Sequence, residues 1–480
     1  MAETILRFAP SPTGGFHVGN ARTALFNYLY VQHYGGKLLL RVEDTDQKRN
    51  TGTSLQTILE SLGWLGIAFD GEPVYQSQNA EAHRRAAEQL LESGHAYYSY
   101  LTPEALEAER AQAVAEKRPL RFDRDLTPEQ RAEKEARGLP GVVRFRVPEG
   151  ETVWNDRIRG ESRWDNGVIS DFVILRADGS PTYHLAVVVD DYEMGVGFVL
   201  RGGDHLSNTP KQMMLFEALG WEVPEYAHNT LLLGPDGRKL SKRHGETTVT
   251  EYREKGYLPE AVCNFLALLG WAPGDGREFF TREELIEAFT VEGMLEKDAV
   301  FDEQKLEWLN GEHIWARPHA DLVQEAVWRW RDEGWIKDGE AESRRAVLEK
   351  IVALLQPRVR TLQEFRTFGY FFNDPDHYEE KARKKQWKAD TPGRIEALIS
   401  RLEALEGFDE SEVEAATRTL AGELGISTAK LIHPTRLALS GVGFGPGLFE
   451  LMEVLGKETC IRRMRKALEV LGEAYTVPAD

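Results

Sequence analysis

Residues 5–42, which read ILRFAPSPTGGFHVGNARTALFNYLYVQHYGGKLLLRV, decide the fold of the first part of the chain. A short apolar strand at residues 4–9 leads into a loop rich in proline and glycine, which can form neither a helix nor a sheet ladder. Apolar residues then recur at helical spacing over residues 18–34, and the glycines at 35–36 end this predicted helix. The apolar run 38–42 is typical of a buried strand. A strand, a glycine loop, a helix and a strand in about 40 residues indicate a βαβ unit.

The composition is that of a globular protein from a reducing compartment. The chain has 480 residues, and about 150 residues per domain suggests about three domains. Its 41% apolar and 29% charged residues exclude a disordered protein. Only two cysteines are present, Cys263 and Cys460, which excludes a disulfide framework and fits a cytoplasmic protein. We see no signal peptide and no apolar run near 18 residues, so we expect no membrane partner. The net charge of −19 argues against a general nucleic-acid coat but leaves room for RNA bound by local basic patches.

The rest of the chain predicts an α+β insertion followed by a helical half. Threonine-proline pairs at 102–103 and 127–128 read as helix starts with proline at the first helical position. Strand-like runs follow at residues 142–147, 183–189, 198–200 and 230–233. From about residue 250 the pattern is almost wholly helical, with candidate helix ends at Gly270, Gly311, Pro357 and Gly441. An α/β half with an insertion, followed by a helical half, is the expected architecture.

The loop at residues 9–19, APSPTGGFHVG, lies where a strand turns into a helix. Backbone N–H groups and the helix dipole favour an anion such as phosphate at this position. Gly14, Gly15 and Gly19 would allow a ligand to approach the backbone, and His17 can donate to a phosphate oxygen. The alternative is a plain dinucleotide loop or a tight turn with a capping histidine. The dinucleotide fingerprint G-x-G-x-x-G is absent.

A second candidate is the basic segment at residues 238–243, RKLSKR, which follows a predicted strand and turn. Four cations in six residues could close over a polyphosphate. Lysine is a compact charge that suits negative charge developing on a leaving group. The alternatives are a solvated basic loop and a contact to an RNA backbone.

Acidic residues follow the second predicted strand, at Glu43, Asp44 and Asp46. Ligands of open α/β sheets bind beyond the carboxyl ends of the strands. A carboxylate at that position can accept from a ribose hydroxyl or bind a substrate ammonium group. The alternative is a helix cap in a surface loop.

Residues 181–210 offer a phenol, an arginine and several carboxylates around apolar runs. Arg201 could bind a carboxylate through two parallel hydrogen bonds. The alternative is an internal ion-pair network. The chain contains neither an H-E-x-x-H metal motif nor the P-loop pattern G-x-x-x-x-G-K-[ST], so we expect no metal ligands of its own.

In this order and spacing, the segments resemble the class I aminoacyl-tRNA synthetases, and most closely the bacterial glutamyl-tRNA synthetase family. His17-Val18-Gly19-Asn20 stands where the class has its HIGH signature, and residues 239–243, KLSKR, stand where it has KMSKS. The resemblance covers essentially the whole chain. Asn20 departs from the second histidine of the first signature. Gly203 stands where many relatives have glutamate, whose role would be lost here or taken by Asp204.

The resemblance implies a Rossmann-type α/β catalytic domain with an α+β insertion, followed by an all-helical anticodon-binding half. The first and second halves of the catalytic domain would span residues 1–100 and 186–250, around an acceptor-binding insertion at 101–185. A helical stem-contact domain would span 251–322, and the anticodon-binding region 323–480. A glutaminyl relative would instead be expected to end in β-barrels.

The implied activity is ATP-dependent ligation of L-glutamate to tRNA(Glu) through a glutamyl-adenylate, with release of AMP and pyrophosphate. ATP and Mg²⁺ are the expected cofactors. No zinc is expected, because Tyr98 and Tyr100 occupy a stretch where many relatives have zinc-binding cysteines. We expect a monomer in the cytoplasm. Two alternatives stay open: an enzyme of the same fold that glutamylates a modified base in tRNA, and a non-catalytic tRNA-binding relative.

The resemblance also implies residue roles. The catalytic residues would be His17, Lys239 and Lys242. ATP would contact His17, Gly19, Asp204, Lys239, Ser241, Lys242 and Arg243. Glutamate would contact Arg7, Ala9, Ser11, Glu43, Tyr183, Arg201 and His205. Arg7 and Arg201 are both candidates for the side-chain carboxylate of the substrate. Arg358 would read the anticodon, and the basic clusters 381–388 and 462–466 are further RNA-contact candidates whose alternative is a solvated helix face.

Overall fold

The computed structural model describes residues 3–12, 15–45, 52–120, 122–241, 243, 245 and 247–472. The chain divides into two compact units. The first contains the residues up to Glu254 together with Pro259–Leu306, and the second contains Lys255–Leu258 together with the residues from Glu307 onward.

The first unit holds the strands and the first ten helices. Its strands are β1 (Ile5–Phe8), β2 (Lys37–Val42), β3 (Val74–Tyr75), β4 (Ala96–Ser99), β5 (Val142–Phe145), β6 (Glu151–Asp156), β7 (Gly160–Asp165), β8 (Val173–Leu175), β9 (Phe198–Gly202), β10 (Glu225–Asn229), β11 (Leu232–Leu233) and β12 (Ala299–Val300). Its helices are α1 (Val18–Tyr34), α2 (Gly52–Trp64), α3 (Ala80–Glu92), α4 (Pro103–Glu116), α5 (Pro128–Ala136), α6 (Tyr183–Glu193), α7 (Thr209–Leu219), α8 (Val249–Glu254), α9 (Pro259–Leu268) and α10 (Arg282–Ala288).

Parallel strands form the centre of the first unit. β1, β2 and β3 pair in that order, and β6, β10 and β9 form a second parallel set that β7 extends in antiparallel fashion. The N–H of Gly197, just before β9, donates to the carbonyl of Ile5 in β1 at 3.1 Å, so the two sets lie edge to edge. Leu6, Leu38 and Leu200 on these strands are buried. Strands covered on both faces read as continuous apolar runs, which explains why the sequence reveals β1 and β2 clearly.

The predicted βαβ unit is confirmed, with α1 running from Val18 to Tyr34 as expected. The helix begins after His17, which accepts the N–H of Gly19, and it ends at Gly35, whose φ of 81° favours glycine. α1 packs its buried face, which includes Leu25 and Phe26, against the strands.

Two strand predictions in this unit are wrong or shifted. Residues 183–189 lie in helix α6, and not in a strand. The run from Leu185 to Asp191 is buried without interruption, so the sequence carries no visible helical period. Of the predicted strand 230–233, only Leu232–Leu233 is a strand, and the longer β10 precedes it. The sequence of β10, EYAHN, is polar and gave no strand signal.

The predicted insertion contains β5, β8 and the two helices predicted from their threonine-proline starts. β5 and β8 form an antiparallel sheet with β4, which precedes residue 101. Tyr98 on β4 and Tyr100, just after this strand, stack with ring centroids 6.1 Å apart. The guanidinium of Arg131 on α5 lies 3.9 Å from the centre of the Tyr98 ring and donates to Glu135 at 2.9 Å. This cluster of rings and charges ties α5 to the sheet.

The second unit is helical, and the structure places no strand between residues 307 and 472. Its helices are α11 (Glu303–Ala316, which begins in the first unit), α12 (His319–Asp332), α13 (Glu340–Ser343), α14 (Arg345–Leu355), α15 (Glu380–Gln386), α16 (Thr391–Glu403), α17 (Glu410–Glu423), α18 (Ala429–Ser440), α19 (Leu448–Leu455) and α20 (Lys457–Gly472). Gly311 does not end a helix as predicted, because α11 continues through it. A Cβ on Gly311 would collide with the guanidinium of Arg360, so glycine permits this close approach. None of the described helices is long and apolar enough to cross a bilayer.

One predicted RNA contact in this unit is wrong. Arg463, in the cluster 462–466, is buried and donates to Asp374 at 3.0 Å and to the carbonyls of Tyr370 and Leu439 at 2.7 and 2.8 Å. These bonds hold α20 against its neighbours, so this guanidinium stabilises the helical core and does not face solvent.

Candidate active site

A cavity of about 590 Å³ opens at the carboxyl ends of β1, β2 and β9, beside the start of α1. Most of the residues predicted from the sequence line it together. They are Arg7, Ala9, Ser11, His17, Gly19, Glu43, Tyr183, Arg201, Asp204, His205, Lys239 and Ser241. The position agrees with the rule that ligands of open α/β sheets bind beyond the carboxyl ends of the strands.

Two predicted site residues, Arg243 and Arg358, do not line this cavity, and the position of a third is not described. Lys242 lies outside the described residues. Arg243 forms an ion pair with Asp236 at 3.7 Å and is not part of the lining. Arg358 belongs to the second unit and donates to the carbonyl of Leu354 at 2.5 Å.

His17 is held at the start of α1 as a neutral hydrogen-bond donor. Its Nδ1 accepts the N–H of Gly19 at 3.1 Å, which leaves the proton on Nε2. Burial, aided by the charge of Lys239, lowers the pKa of His17, so the ring is uncharged near neutral pH. An uncharged imidazole with a free Nε2–H can donate to a phosphate oxygen at this helix N-terminus.

Backbone hydrogen bonds join the start of the first signature segment to residues 247–249, which follow the second signature segment. The N–H of Val18 donates to the carbonyl of Thr247 at 2.8 Å, and the N–H of Val249 donates to the carbonyl of Phe16 at 3.0 Å. The chain that follows the basic segment is therefore fixed against the start of α1. The start of α1 and the basic segment, which are far apart in the sequence, are thereby brought close together.

Lys239 of the basic segment reaches Asp204 across the cavity. Its Nζ donates to a carboxylate oxygen at 2.9 Å. Burial acts against ionisation, but Lys239 and His205 hold the pKa of Asp204 below its usual range. Lys239 and Asp204 thus form a solvent-exposed ion pair at the cavity.

Arg7 and Glu43 belong to a buried ionic network. Arg7 donates from Nε to Asp191 at 3.0 Å, and Asp191 also accepts from Arg41. Arg41 donates further to Glu43 at 3.4 Å. Burial raises the pKa of Glu43, and the guanidinium groups of Arg41 and Arg7 act against that rise. A substrate ammonium group beside Glu43 would add a third positive charge that favours its ionised form.

Arg201 differs from Arg7 because only neutral groups hold it. Its Nε donates to His228 at 3.1 Å, its Nη1 to Gln212 at 2.7 Å and its Nη2 to Thr209 at 2.8 Å. Within the described part of the chain, no carboxylate lies within ion-pair distance of Arg201. Burial lowers the pKa of this guanidinium. A guanidinium has five N–H bonds, so two remain for a planar carboxylate in the cavity.

Tyr183 and His205 form a hydrogen-bonded pair next to Arg201. The Tyr183 hydroxyl lies 3.1 Å from Nδ1 of His205, and the amide of Asn208 donates to the same nitrogen at 3.3 Å. Burial and the charge of Arg201 lower the pKa of His205 to about 4. His205 is therefore neutral at physiological pH and presents Nε2–H.

Gly203 is required by the close approach of β10. A Cβ at this position would lie 2.6 Å from the carbonyl oxygen of Asn229. A glutamate side chain therefore does not fit here without a backbone shift. The neighbouring carboxylate, Asp204, is the one that lines the cavity.

The sequence did not reveal the residues that hold the lining side chains in place through hydrogen bonds. These are Arg41, Thr209, Gln212 and His228, together with the specific role of Asp191. The acidic pair at the end of an otherwise apolar run was a usable signal for Asp191. His228 carried none, because it lies in a short strand with no recognisable pattern.

Residues 3–308 match the model for the catalytic domain of class I tRNA synthetases specific for glutamate and glutamine, and residues 318–468 match an anticodon-binding domain. Glutamate–tRNA ligase 1 of Caldanaerobacter subterraneus subsp. tengcongensis is 46% identical, over 98% of this chain and 99% of the relative. The glutamate–tRNA ligase of Moorella thermoacetica is 43% identical over the same shares. A crystal structure of a glutamate–tRNA ligase from Elizabethkingia meningosepticum, in complex with its amino acid, superposes with a TM-score of 0.88 at 33% identity and covers 98% of this chain and 100% of that one.

Proposed function

Because the chain belongs to the class I tRNA synthetases of the glutamate and glutamine type, we propose that it ligates L-glutamate to tRNA(Glu) at the expense of ATP. The observation that carries the proposal is Arg201, a buried guanidinium held only by neutral side chains. Such a group binds a carboxylate in a dry cavity and discriminates against a neutral amide. The experiment that tests it is charging of tRNA(Glu) with glutamate and with glutamine by the purified protein.

Glutamate binds at the end of the cavity formed by β1, β2 and β9 in this proposal. Arg201 takes the side-chain carboxylate with its two remaining N–H bonds. Glu43 holds the ammonium group, with Tyr183 and His205 beside it. Arg7 is compensated by Asp191, so we assign it to orienting the amino acid and not to carrying the selectivity. Ala9 and Ser11 line the same cavity.

ATP binds at the other end, over the start of α1. His17 donates from Nε2 to a phosphate oxygen, and Gly19 allows the close approach. Lys239, Ser241, Lys242 and Arg243 supply the basic segment, and Asp204 positions Lys239. Mg²⁺ would be held by the phosphates of ATP and would neutralise part of their charge.

Two transfers follow from this arrangement. The α-carboxylate of glutamate attacks the α-phosphorus of ATP, and pyrophosphate leaves. The terminal ribose hydroxyl of the tRNA then attacks the carbonyl of the mixed anhydride, and AMP leaves. Both steps depend on positioning and charge stabilisation, with no covalent bond to the enzyme. No protein base is assigned for the second step, in which the phosphate of the adenylate can take the proton.

The two alternatives are less well supported. An enzyme that glutamylates a modified base would lack an anticodon domain, whereas residues 318–468 match one. A non-catalytic relative would not retain His17, Glu43 and Arg201 in one cavity. Glutamate-dependent ATP–pyrophosphate exchange, measured with and without tRNA, separates them. Exchange without transfer to tRNA(Glu) would favour the modifying enzyme, and absence of both would favour the binding protein.

We propose that the domain division expected from the sequence describes how the parts contact tRNA. The insertion at 101–185 would approach the acceptor end, residues 251–322 the stem, and residues 323–480 the anticodon. The protein would act as a monomer in the cytoplasm. Sedimentation of the purified chain would test the oligomeric state.

Replacing Arg358 by alanine should reduce discrimination at the anticodon. The residue is exposed next to Pro357 in the unit that matches an anticodon-binding domain. A bidentate contact to a base edge contributes about 1–3 kcal/mol of discrimination, which corresponds to roughly 5-fold to 150-fold. The measurement is charging of tRNA(Glu) and anticodon variants at several salt concentrations. Arg345→Ala, an exposed arginine paired with Glu349 on α14, is the matched control. Equal losses for every anticodon would reduce Arg358 to a backbone contact.

Metal analysis of the purified protein should find no stoichiometric zinc. Zinc binds thiolates, and both cysteines are buried alone, with burial raising the pKa of Cys263 to about 11 and that of Cys460 to about 12. Tyr98 and Tyr100 supply no ligands of this kind. One zinc ion per chain that survives dialysis against a chelator would show that this prediction is wrong.

A further inference from the structure

His228 on β10 lies behind Arg201 and outside the cavity lining. Its ring is fully buried. Nδ1 lies 2.5 Å from Oδ2 of Asp156, the last residue of β6. Nε2 lies 3.1 Å from Nε of Arg201 and 3.0 Å from the hydroxyl of Thr209. A continuous chain of hydrogen bonds therefore runs from Asp156 through the imidazole to the guanidinium.

The charge state of this chain is fixed by geometry. Oδ1 of Asp156 accepts backbone N–H groups from Ile158 and Arg159 at 3.1 Å and from His228 at 3.2 Å. An ionised carboxylate only accepts, so Nδ1 of His228 carries the proton and Nε2 offers a lone pair to Arg201. Burial lowers the pKa of His228, in keeping with a neutral ring.

We propose that Asp156 and His228 are positioning residues, which fix the orientation of Arg201 for the side-chain carboxylate of glutamate and leave its charge available to that substrate. The inference rests on the proposed function. A carboxylate in direct contact would compensate the guanidinium, as Asp191 does for Arg7, and would compete with the substrate. Because the imidazole lies between them, the carboxylate of Asp156 determines which nitrogen of His228 carries the proton. The carboxylate itself does not contact the guanidinium of Arg201.

The Asp156→Asn variant tests the chain with a nearly isosteric change. The three backbone N–H groups keep an acceptor at the Oδ1 position, so the amide NH₂ would replace Oδ2 and donate to Nδ1 of His228. The proton of the imidazole would then move to Nε2 and face the N–H of Arg201, the wrong tautomer for this contact. We expect KM for glutamate to rise roughly 10-fold to 100-fold, with KM for ATP, kcat and the thermal midpoint changed little.

Asp70→Asn is the matched control for that substitution. Asp70 accepts the N–H of Leu38 at 2.8 Å at the start of β2 and does not line the cavity. We expect its KM for glutamate to equal that of the wild-type protein. If both variants show the same KM for glutamate, the positioning role of Asp156 is wrong.

Two substitutions of His228 separate its two contacts. The amide of His228→Gln can place an oxygen near the former Nε2 and accept from Arg201. The shorter amide of His228→Asn reaches Asp156 but not Arg201. We expect the glutamine variant to keep a KM for glutamate several-fold below that of the asparagine variant, at similar thermal stability. Equal KM values for the two would contradict the proposal even if Asp156→Asn failed to fold.

The wild-type protein distinguishes this inference from the proposed function. If the wild-type protein does not charge tRNA(Glu) with glutamate, the proposed function fails and the inference with it. If it does, and the variants keep its KM for glutamate, only the positioning role is refuted.

Discussion

Replacing Arg201 by alanine is expected to weaken glutamate far more than ATP. Removing one partner of a buried, hydrogen-bonded charge pair costs about 2–5 kcal/mol, which corresponds to roughly 30-fold to several thousand-fold in KM for glutamate. The loss also removes the donor that Thr209, Gln212 and His228 share, although Thr209 and His228 keep their contact with each other at 3.0 Å. ATP–pyrophosphate exchange at varied glutamate and ATP, in the presence of tRNA, measures both constants in one preparation.

Glutamine provides the internal control for Arg201. Its amide cannot form an ion pair, so the KM for glutamine should change much less than that for glutamate, and the preference of the protein for the acid should shrink. An unchanged KM for glutamate in the Arg201→Ala variant would assign the side-chain carboxylate to another group, with Arg7 as the next candidate.

Replacing Lys242 by alanine should slow adenylate formation by about 10²–10³-fold without unfolding the protein, the usual cost of removing one group that stabilises developing charge. The residue lies outside the described part of the chain, and the expectation comes from its place in the basic segment. Its neighbours Lys239 and Ser241 line the same cavity as His17. Rapid-quench measurement of pyrophosphate release reports the step directly.

Arg238→Ala is the comparison for Lys242→Ala. Arg238 is exposed in the same segment and does not line the cavity, so its loss should affect the rate only slightly. Exchange near the wild-type rate in the Lys242→Ala variant would show that the proposed role is wrong. Equal losses in both variants would instead indicate a general effect of a basic surface.

The sequence predicted an element correctly where the residues of that element themselves mark its ends and its buried and exposed faces. Helix α1 has a capping residue, a mixed apolar face and two terminal glycines, so its bounds were predictable. Helix α6 is buried on nearly every side from Leu185 to Asp191, and a helix without a polar face cannot be told from a buried strand by periodicity. β10 shows the opposite case, because its polar residues are buried by partners that the sequence does not reveal.

The residues of the candidate site also fall into those that the sequence could predict and those that it could not. Residues that touch the cavity follow strand ends and helix starts, so motif and spacing found them. The groups that hold Arg201 come from β10 and α7 and contact it from behind. Their role depends on which strands become neighbours, and this is a property of the tertiary structure. The sequence therefore could not show that the charge of Arg7 is paired with a carboxylate whereas Arg201 is held by neutral side chains.

The backbone bonds that join residues 16–18 to residues 247–249 also govern when the site is completed during synthesis. A ribosome adds about 5–20 residues per second, so roughly 10–50 s separate the two segments as they leave it. Meanwhile the sheet β4-β5-β8, whose strands all precede residue 247, can form. Until residues 247–249 have been made, Phe16 and Val18 of the N-terminal βαβ unit lack these backbone partners. Because the closing contact comes from a segment beyond the insertion, a nascent chain truncated before residue 247 has no assembled catalytic centre, however well its first strands have folded.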